Sequence, residues 1–257
     1  MLTGACGGIG EQIASYLSAH GASLILVGRN QEKLDHLCSQ LLGEPKTVCA
    51  DLNSDEGLEL IQRTVEANPD IDILINAAGV NDFSLLTQQD PALIQTMINT
   101  NLTAPILLCR LLLPQLKCRP KAIILNIGST LGSIGFPGYA SYCASKFGLR
   151  GFTEALRREL LNTNVTVHFL APRATRTAMN GSAANALNES LRTPSDEPTV
   201  VAQAVVSQLM RTAGCDQYLG WRERLFVKIN GVLPKLVTQN IAKQLATIHH
   251  FATHSFN

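Results

Sequence analysis

Short apolar segments alternate with longer amphipathic segments along most of the chain. The apolar segments lack a polar face, which is typical of strands buried on both faces of a parallel sheet. Helical periodicity between them predicts helices that include residues 11–20, 31–42 and 55–68. We predict strands at residues 23–27, 47–50, 71–76, 121–127 and 165–170.

This alternation predicts an α/β fold, a doubly wound, Rossmann-like parallel sheet with helices on both faces. We expect one catalytic domain over residues 1–220 and an amphipathic, basic extension over residues 221–257. Residues 175–198 are small, polar and weakly periodic, so we expect a mobile loop or lid beside the substrate there. Only two residues precede Thr3, where a full strand is expected, and we therefore expect the true N-terminus to lie upstream of Met1.

Composition narrows the range of functions. A net charge of +1 over 257 residues argues against a dedicated nucleic-acid-binding protein. Seven cysteines without a C-x-x-C pair argue against a disulfide framework and a metal site, and they favour the reducing cytoplasm. Charged residues make up only 16%, which leaves room for a large core, a subunit interface or a membrane-facing patch. The most apolar stretch, residues 105–116, is predicted to be too short to span a bilayer.

The run TGACGGIG, from Thr3 to Gly10, predicts a dinucleotide-binding loop between a strand and a helix. Gly4 would allow the tight turn, and Gly8 would let backbone amides approach a pyrophosphate at the helix N-terminus. The alternative is an ordinary glycine-rich turn. At the end of the next strand, Gly28 stands where an acid would repel a 2′-phosphate, and Arg29 follows. This pair favours NADP(H) over NAD(H), unless Arg29 is simply a solvated loop charge.

A tyrosine and a lysine four residues apart form the candidate catalytic pair, Tyr142 and Lys146. On a helix they share one face, and an ammonium beside a phenol is expected to lower the phenol pKa for acid–base work. Ser129 lies thirteen residues before Tyr142, just after a predicted strand, at the edge where such sheets bind ligands. Asn101 lies within a helical stretch that follows the fourth strand.

Together these features resemble the short-chain dehydrogenase/reductase family over about residues 1–220. The matching motifs are TGACGGIG, Asp51, NAAG at residues 76–79, Asn101, Ser129 and YCASK at residues 142–146. The resemblance implies a seven-stranded doubly wound sheet. It also implies that Tyr142 is the general acid/base, that Ser129 orients the substrate carbonyl and that Lys146 binds the nicotinamide ribose.

The resemblance extends to the remaining site residues. It implies that Asn101 supports a proton-relay water, that Asp51 approaches the adenine and that Asn76 steadies the fourth strand near the adenosine. The rest of the cofactor-binding set that it implies is Gly4, Gly8, Ile9, Gly10, Arg29, Leu52, Ala77, Gly79, Pro172 and Thr177. The sequence departs from the family pattern at Pro172-Arg173, where the family usually has Pro-Gly. Arg173 would contact a phosphate or an acidic substrate group, or point to solvent.

We therefore predict an NADPH-dependent oxidoreductase that interconverts a carbonyl and an alcohol, in a homodimer or homotetramer. Apolar residues after Ser129 favour a lipid-like ketone or acyl substrate; they are Leu131, Ile134, Phe136, Pro137 and Tyr139. The alternatives are a catalytically silent NADP-binding regulator and an interaction protein whose tail carries the function.

The tail from Arg222 onward carries five basic residues and one acid, a net charge of +4. Its apolar residues recur at helical spacing, with a break near residues 231–234. The stripes either close the pocket or a subunit interface, or lie on an anionic membrane surface.

Overall fold

The computed structural model describes residues 1–253, and within this range seven parallel strands form a single sheet. The sheet order is β3-β2-β1-β4-β5-β6-β7. The strands are β1 (Leu2–Thr3), β2 (Ile25–Gly28), β3 (Lys46–Cys49), β4 (Ile73–Asn76), β5 (Ala122–Ile127), β6 (Val165–Ala171) and β7 (Asp216–Tyr218). The order reverses between β1 and β4, and ligands bind at such a switch point in open α/β sheets.

Eleven α-helices accompany the sheet within the described residues. They are α1 (Gly8–Ala19), α2 (Gln31–Ser39), α3 (Asp55–Glu66), α4 (Pro91–Ile98), α5 (Ala104–Lys117), α6 (Ala140–Glu159), α7 (Ser182–Ser190), α8 (Pro198–Leu209), α9 (Trp221–Val232), α10 (Pro234–Ala242) and α11 (Leu245–Thr253). The predicted Rossmann-like α/β fold is confirmed, and each predicted strand forms with its boundaries shifted by at most two residues.

Helices cover both faces of the sheet because neighbouring strand residues point to opposite sides. In β2, Ile25 and Val27 join the core beneath α3, α5 and α6, while Leu26 joins the core beneath α1, α2 and α8. This period of two explains why the strands read as continuously apolar. The alternating burial therefore accounts for a sheet with two separate hydrophobic layers.

The segment that we expected to be an irregular loop, residues 175–198, contains helix α7. Ala184 and Leu187 bury the inner face of this helix. Weak periodicity concealed it because most of its other residues are small or polar. Part of this segment is therefore helical.

Helices α4 and α5 are joined by a π-helical turn, Asn99–Thr103, into one run of 27 residues. By length and composition this run could cross a membrane, contrary to our expectation from the shorter apolar stretch. Leu108, Leu112 and Leu116 are fully buried in the core beneath the sheet. Their apolar character is therefore accounted for by packing within the domain.

A chain of buried hydrogen bonds joins β4 and β5 to helix α6. The Asn76 side-chain amide donates to Asn126 Oδ1 at 2.8 Å, and the Asn126 amide donates to Thr153 Oγ1 at 2.9 Å. Thr153 in turn donates to the Leu149 carbonyl at 2.6 Å. All three polar residues are buried, so their bonds fix how α6 lies on the sheet.

We expect Asn126→Leu to lower the free energy of unfolding by about 1–3 kcal/mol, the typical penalty for leaving a buried polar group unpaired. The leucine has a similar size, but it removes the acceptor of the Asn76 amide and the donor to Thr153. Urea unfolding measures the change. The matched control is Asn240→Leu at an exposed position, and equal effects of the two substitutions would contradict the assignment.

Candidate active site

A cleft of about 260 Å³ lies at the carboxyl ends of β1, β2, β3 and β4. It occupies the switch point of the sheet, where the strand order reverses. Its lining comes from the glycine loop, the ends of β2 and β3 and the segment after β4. The residues that line it include Gly4, Cys6, Gly7, Arg29, Asn30, Lys33, Asp51, Leu52, Asn53, Ala77, Gly79, Thr100 and Met179.

The glycine loop is pressed against the segment that follows β4. Gly4 has a φ of +67°, and a Cβ there would lie 2.6 Å from the Ala78 backbone. A Cβ at Gly10 would lie 2.1 Å from the Gly4 carbonyl oxygen. The Thr3 hydroxyl accepts hydrogen bonds from the Ala77 and Ala78 amides at 3.1 and 3.2 Å. The cradle therefore requires glycine at both positions, and its shape fits a dinucleotide at the N-terminus of α1.

Two exposed cations, Arg29 and Lys33, line the cleft where β2 passes into α2. Asp51 is the one acid among the lining residues that the structure describes. Sequence reasoning found Arg29 but missed Lys33. The signal was available, because Lys33 lies in the first turn of α2, next to the end of β2 that carries Arg29.

The implied cofactor residues are divided between this cleft and a second cavity. Leu52, Ala77 and Gly79 line the cleft, whereas Ile9, Pro172 and Thr177 line the cavity described below. Gly8 connects them, since a Cβ there would lie 3.1 Å from Thr177 Cγ2.

Asn76 lies outside the cleft. It is buried and bonded to Asn126, so the geometry does not support direct contact with a cofactor.

Ser129, Tyr142 and Lys146 come together at the carboxyl end of β5. Ser129 follows this strand directly, and its hydroxyl accepts a hydrogen bond from the Leu131 amide at 3.1 Å. A second hydrogen bond joins the Ser129 side chain to Tyr142. Lys146 Nζ lies 5.9 Å from the centre of the Tyr142 ring and donates to the Ile127 carbonyl at 3.0 Å. One strand end and one helix face thus place all three polar groups together.

Burial shifts the pKa values of both helix residues. It raises the pKa of Tyr142 to about 12, although the hydrogen bond with Ser129 opposes the shift. It lowers the pKa of Lys146 to about 8. The sequence-based expectation of a lowered tyrosine pKa is therefore wrong for this structure, because desolvation penalises the phenolate more than its surroundings stabilise it.

Asn101 lies in the π-helical turn between α4 and α5. Its Oδ1 accepts from the Val80 amide at 2.8 Å, while its Nδ2 donates to the Val80 carbonyl at 2.9 Å and to Ser145 Oγ at 3.0 Å. The wider turn aims the side chain at the loop after β4 and at α6 together. Asn101 therefore ties the rim of the cofactor cleft to the helix that carries Tyr142.

A second cavity, of about 300 Å³, opens beside Ser129 and Tyr142. Its wall includes Leu131, Phe136, Tyr139, Met179, Leu187 and Leu191. Tyr139 packs against Phe83 with ring centroids 4.8 Å apart, and burial raises its pKa. Two residues of the predicted apolar wall, Ile134 and Pro137, do not line this cavity, and Ile134 is buried in the protein. Met179 lines both the cavity and the cleft, so the two are adjacent.

Arg173, expected to contact a phosphate or an acidic substrate group or to point to solvent, instead pairs with two acids of the protein itself. Its guanidinium forms a bidentate pair with Asp196, with Nε–Oδ2 and Nη2–Oδ1 distances of 2.9 and 2.6 Å. Nη1 lies 3.5 Å from Glu223 Oε1 in α9. The residue therefore joins the loop after β6 to the tail at the wall of the cavity.

Comparisons with known proteins agree with this geometry. The sequence model described as short chain dehydrogenase matches residues 1–188. Nodulation protein G of Rhizobium sp. (strain N33) is 38% identical over 180 residues, which cover 70% of this chain and 74% of that protein. The 3-oxoacyl-(acyl-carrier-protein) reductase FabG of Haemophilus influenzae is 32% identical over 67% of this chain and 72% of its own length.

A solved structure shares the fold over nearly the whole chain. It is a short-chain dehydrogenase from Sphingobium yanoikuyae in complex with NADPH, with a TM-score of 0.79 and 26% identity over 92% of this chain and 94% of that one. The family match covers more than half of the residues, and the fold and the polar cluster fit it. The chain belongs to the short-chain dehydrogenase/reductase family and is an NAD(P)-dependent oxidoreductase.

Proposed function

We propose that the protein reduces the carbonyl of an apolar ketone or acyl substrate to an alcohol with NADPH. The observation that carries the proposal is the meeting of Ser129, Tyr142 and Lys146 at the junction of the dinucleotide cleft and an apolar-walled cavity. A regulator that only binds the dinucleotide has no physical need for this set beside a second cavity.

The protonation states of the site favour reduction. Tyr142 keeps its proton at neutral pH because its pKa is about 12, so the phenol donates that proton to the developing alkoxide. Ser129 holds the substrate oxygen beside the phenol. Lys146, with a pKa of about 8, remains mostly charged and stabilises the phenolate that is left. NADPH, when bound along the cleft, supplies the hydride.

Two features support a 2′-phosphate on the bound dinucleotide. Arg29 and Lys33 both line the cleft at the end of β2, and Gly28 carries no acid to repel a phosphate. The solved relative with NADPH is consistent with this preference, although its ligand is a property of that protein. We infer that the two cations share the phosphate.

The cavity supports an apolar substrate of modest size. Its volume lies at the lower end of the range for small-molecule sites. Leucine, methionine and aromatic side chains contribute to its wall beside polar residues. Similarity to a 3-oxoacyl reductase also supports a ketone or acyl group at the reacting end.

We further propose that the protein works in the cytoplasm as a homodimer or homotetramer, with its tail in peripheral contact with a membrane. All seven cysteines are free thiols, which suits a reducing compartment. The low share of charged residues suits a subunit interface, and the basic tail suits an anionic surface.

We expect Tyr142→Phe to reduce turnover of a ketone panel by about 10²–10⁴-fold, the usual contribution of a positioned acid. Binding of NADPH, followed by fluorescence titration, is expected to persist because the ring still packs. Tyr139→Phe is the matched control, since it removes a neighbouring phenol hydroxyl from the same cavity wall. Near-normal turnover by Tyr142→Phe would refute the assigned acid.

Arg29→Ala is expected to weaken NADPH binding by about 1.5–3 kcal/mol, the range for a hydrogen bond to a charged group. NADH binding is expected to change little. Isothermal titration of both dinucleotides measures the difference, with the exposed Arg110→Ala as control. Tighter binding of NADH than NADPH by the unmodified protein would overturn the proposed preference.

The pH dependence of ketone reduction tests the role of Lys146. We expect kcat to fall as the pH rises through about 8, because loss of the lysine charge removes stabilisation of the Tyr142 phenolate. Saturating NADPH and ketone separate this effect from binding. A kcat that stays flat as Lys146 loses its proton would contradict the role.

A further inference from the structure

Helix α9 presents two opposite faces. At 3.6 residues per turn, Trp221, Leu225, Lys228 and Val232 fall within about 60° of one another. All four are exposed, and Val232 is 78% exposed. On the other side of the helix lie the half-buried Glu223, Phe226, Val227 and Asn230. The sequence pattern thus leaves an apolar stripe on the solvent side of a helix that is already anchored.

The inner face of α9 is held to the domain by polar contacts. The Asn230 amide donates to the Ser133 carbonyl at 2.9 Å, and Glu223 lies beside Arg173. These contacts fix the rotation of α9, so its exposed apolar side chains cannot turn into the core of the domain. Leu233 and Leu236, at and after the turn into α10, are each 53% exposed and extend the apolar surface in sequence.

We propose that the outer face of α9 docks on an anionic lipid bilayer and holds the substrate cavity beside it. We call this face, formed by Trp221, Leu225, Lys228 and Val232, the outer stripe. The assignment rests on the membrane contact proposed above and adds the face, the lipid charge and the source of the substrate. Trp221 enters the interfacial region, where an amphipathic aromatic ring is favourable, and the leucine and valine follow it.

The positive charge around the outer stripe favours an anionic membrane over a second protein surface as its partner. Arg222 and Arg224 flank the outer stripe on either side, and Lys228 lies within it. All five basic residues of the tail are exposed, and within residues 1–253 none of them forms an ion pair. The single acid, Glu223, lies on the inner face beside Arg173. A surface of this kind attracts anionic lipid phosphates.

A second copy of the chain fits the stripe poorly. In a two-fold dimer the same patch faces itself, so Arg222, Arg224 and Lys228 of the two copies would meet. Like charges brought together across an interface are unfavourable. A membrane avoids this repulsion and also covers the apolar residues.

Docking on this face brings the cavity near the lipid. Glu223 of α9 and Gln244, just before α11, both line the substrate cavity. The tail therefore lies between the bilayer and the reacting groups. The cavity that holds Tyr142 then lies on the membrane side of the domain, where a ketone that partitions into the bilayer is concentrated.

Co-sedimentation with vesicles tests the docking surface. The full chain is expected to bind vesicles of equal parts phosphatidylglycerol and phosphatidylcholine, and not vesicles of phosphatidylcholine alone. Replacing Arg222, Arg224 and Lys228 with Gln is expected to weaken partitioning by roughly a hundredfold, since each basic residue near such a surface contributes about a factor of five. Trp221→Gln with Leu225→Gln is expected to abolish binding at unchanged charge.

The control is Leu161→Gln with Met210→Gln, which removes two apolar side chains elsewhere that are more exposed than Trp221 and Leu225. All variants are expected to keep the melting temperature and the turnover of a water-soluble ketone. Ketone turnover by the unmodified chain without binding to anionic vesicles would overturn the docking surface and leave the proposed reaction intact. Vesicle binding without turnover would do the reverse.

Sedimentation velocity tests whether a second copy of the chain, rather than a membrane, covers the outer stripe. If the full chain ignores anionic vesicles and Trp221→Gln with Leu225→Gln converts an oligomer to monomers, the face is a subunit interface and the proposal is wrong. Equal loss of vesicle binding in the control pair would also overturn it, because binding would then follow general surface hydrophobicity.

Discussion

The position of α6 on the sheet is the constraint on which the site depends, and buried hydrogen bonds set it. Asn76, Asn126 and Thr153 connect two central strands to the helix through a region that is otherwise apolar. About two turns nearer the site, the Lys146 ammonium donates to the carbonyl of Ile127 at the end of β5. A shift of the helix along the sheet would break these bonds together and leave polar groups buried without partners. The helix therefore has one favourable register, and Tyr142 is held at the strand end beside Ser129.

The same burial that fixes the helix also sets its chemistry. A phenol surrounded by protein holds its proton more strongly, and a buried ammonium holds its proton less strongly. Tyrosine and lysine ordinarily have similar pKa values, but here burial separates them, to about 12 for Tyr142 and about 8 for Lys146. A tyrosine that stays protonated is suited to give a proton to a forming alcohol. In the proposed reduction, desolvation of the site thus supplies a protonated Tyr142 without special acid strength.

Sequence alone predicted the parts of the molecule that depend on local pattern. The five predicted strands were visible as short apolar segments, whereas β7, with the sequence DQY, carries no such signal. The glycine loop was visible because Gly4 and Gly10 have steric reasons to lack a side chain. Contacts between distant segments were not visible. Arg173 pairs with Asp196 across 23 residues of sequence, and no local signal indicates that partner. The direction of the Tyr142 shift was also missed, because burial is a property of the packed structure.

The tail and the departure from the family pattern at position 173 belong to one arrangement. The family sequence model ends at residue 188, so α9 to α11 lie beyond the matched region. Yet Arg173, where the family usually has glycine, contacts Glu223 of α9 and Asp196 together. A glycine at this position would have no side chain to reach either acid. Ile248 of α11 is fully buried, and α11 packs on α7, whose Leu187 lines the cavity. The tail is thus held to the domain through both α9 and α11, and Arg173 belongs to the matched region at the point where that region meets the tail.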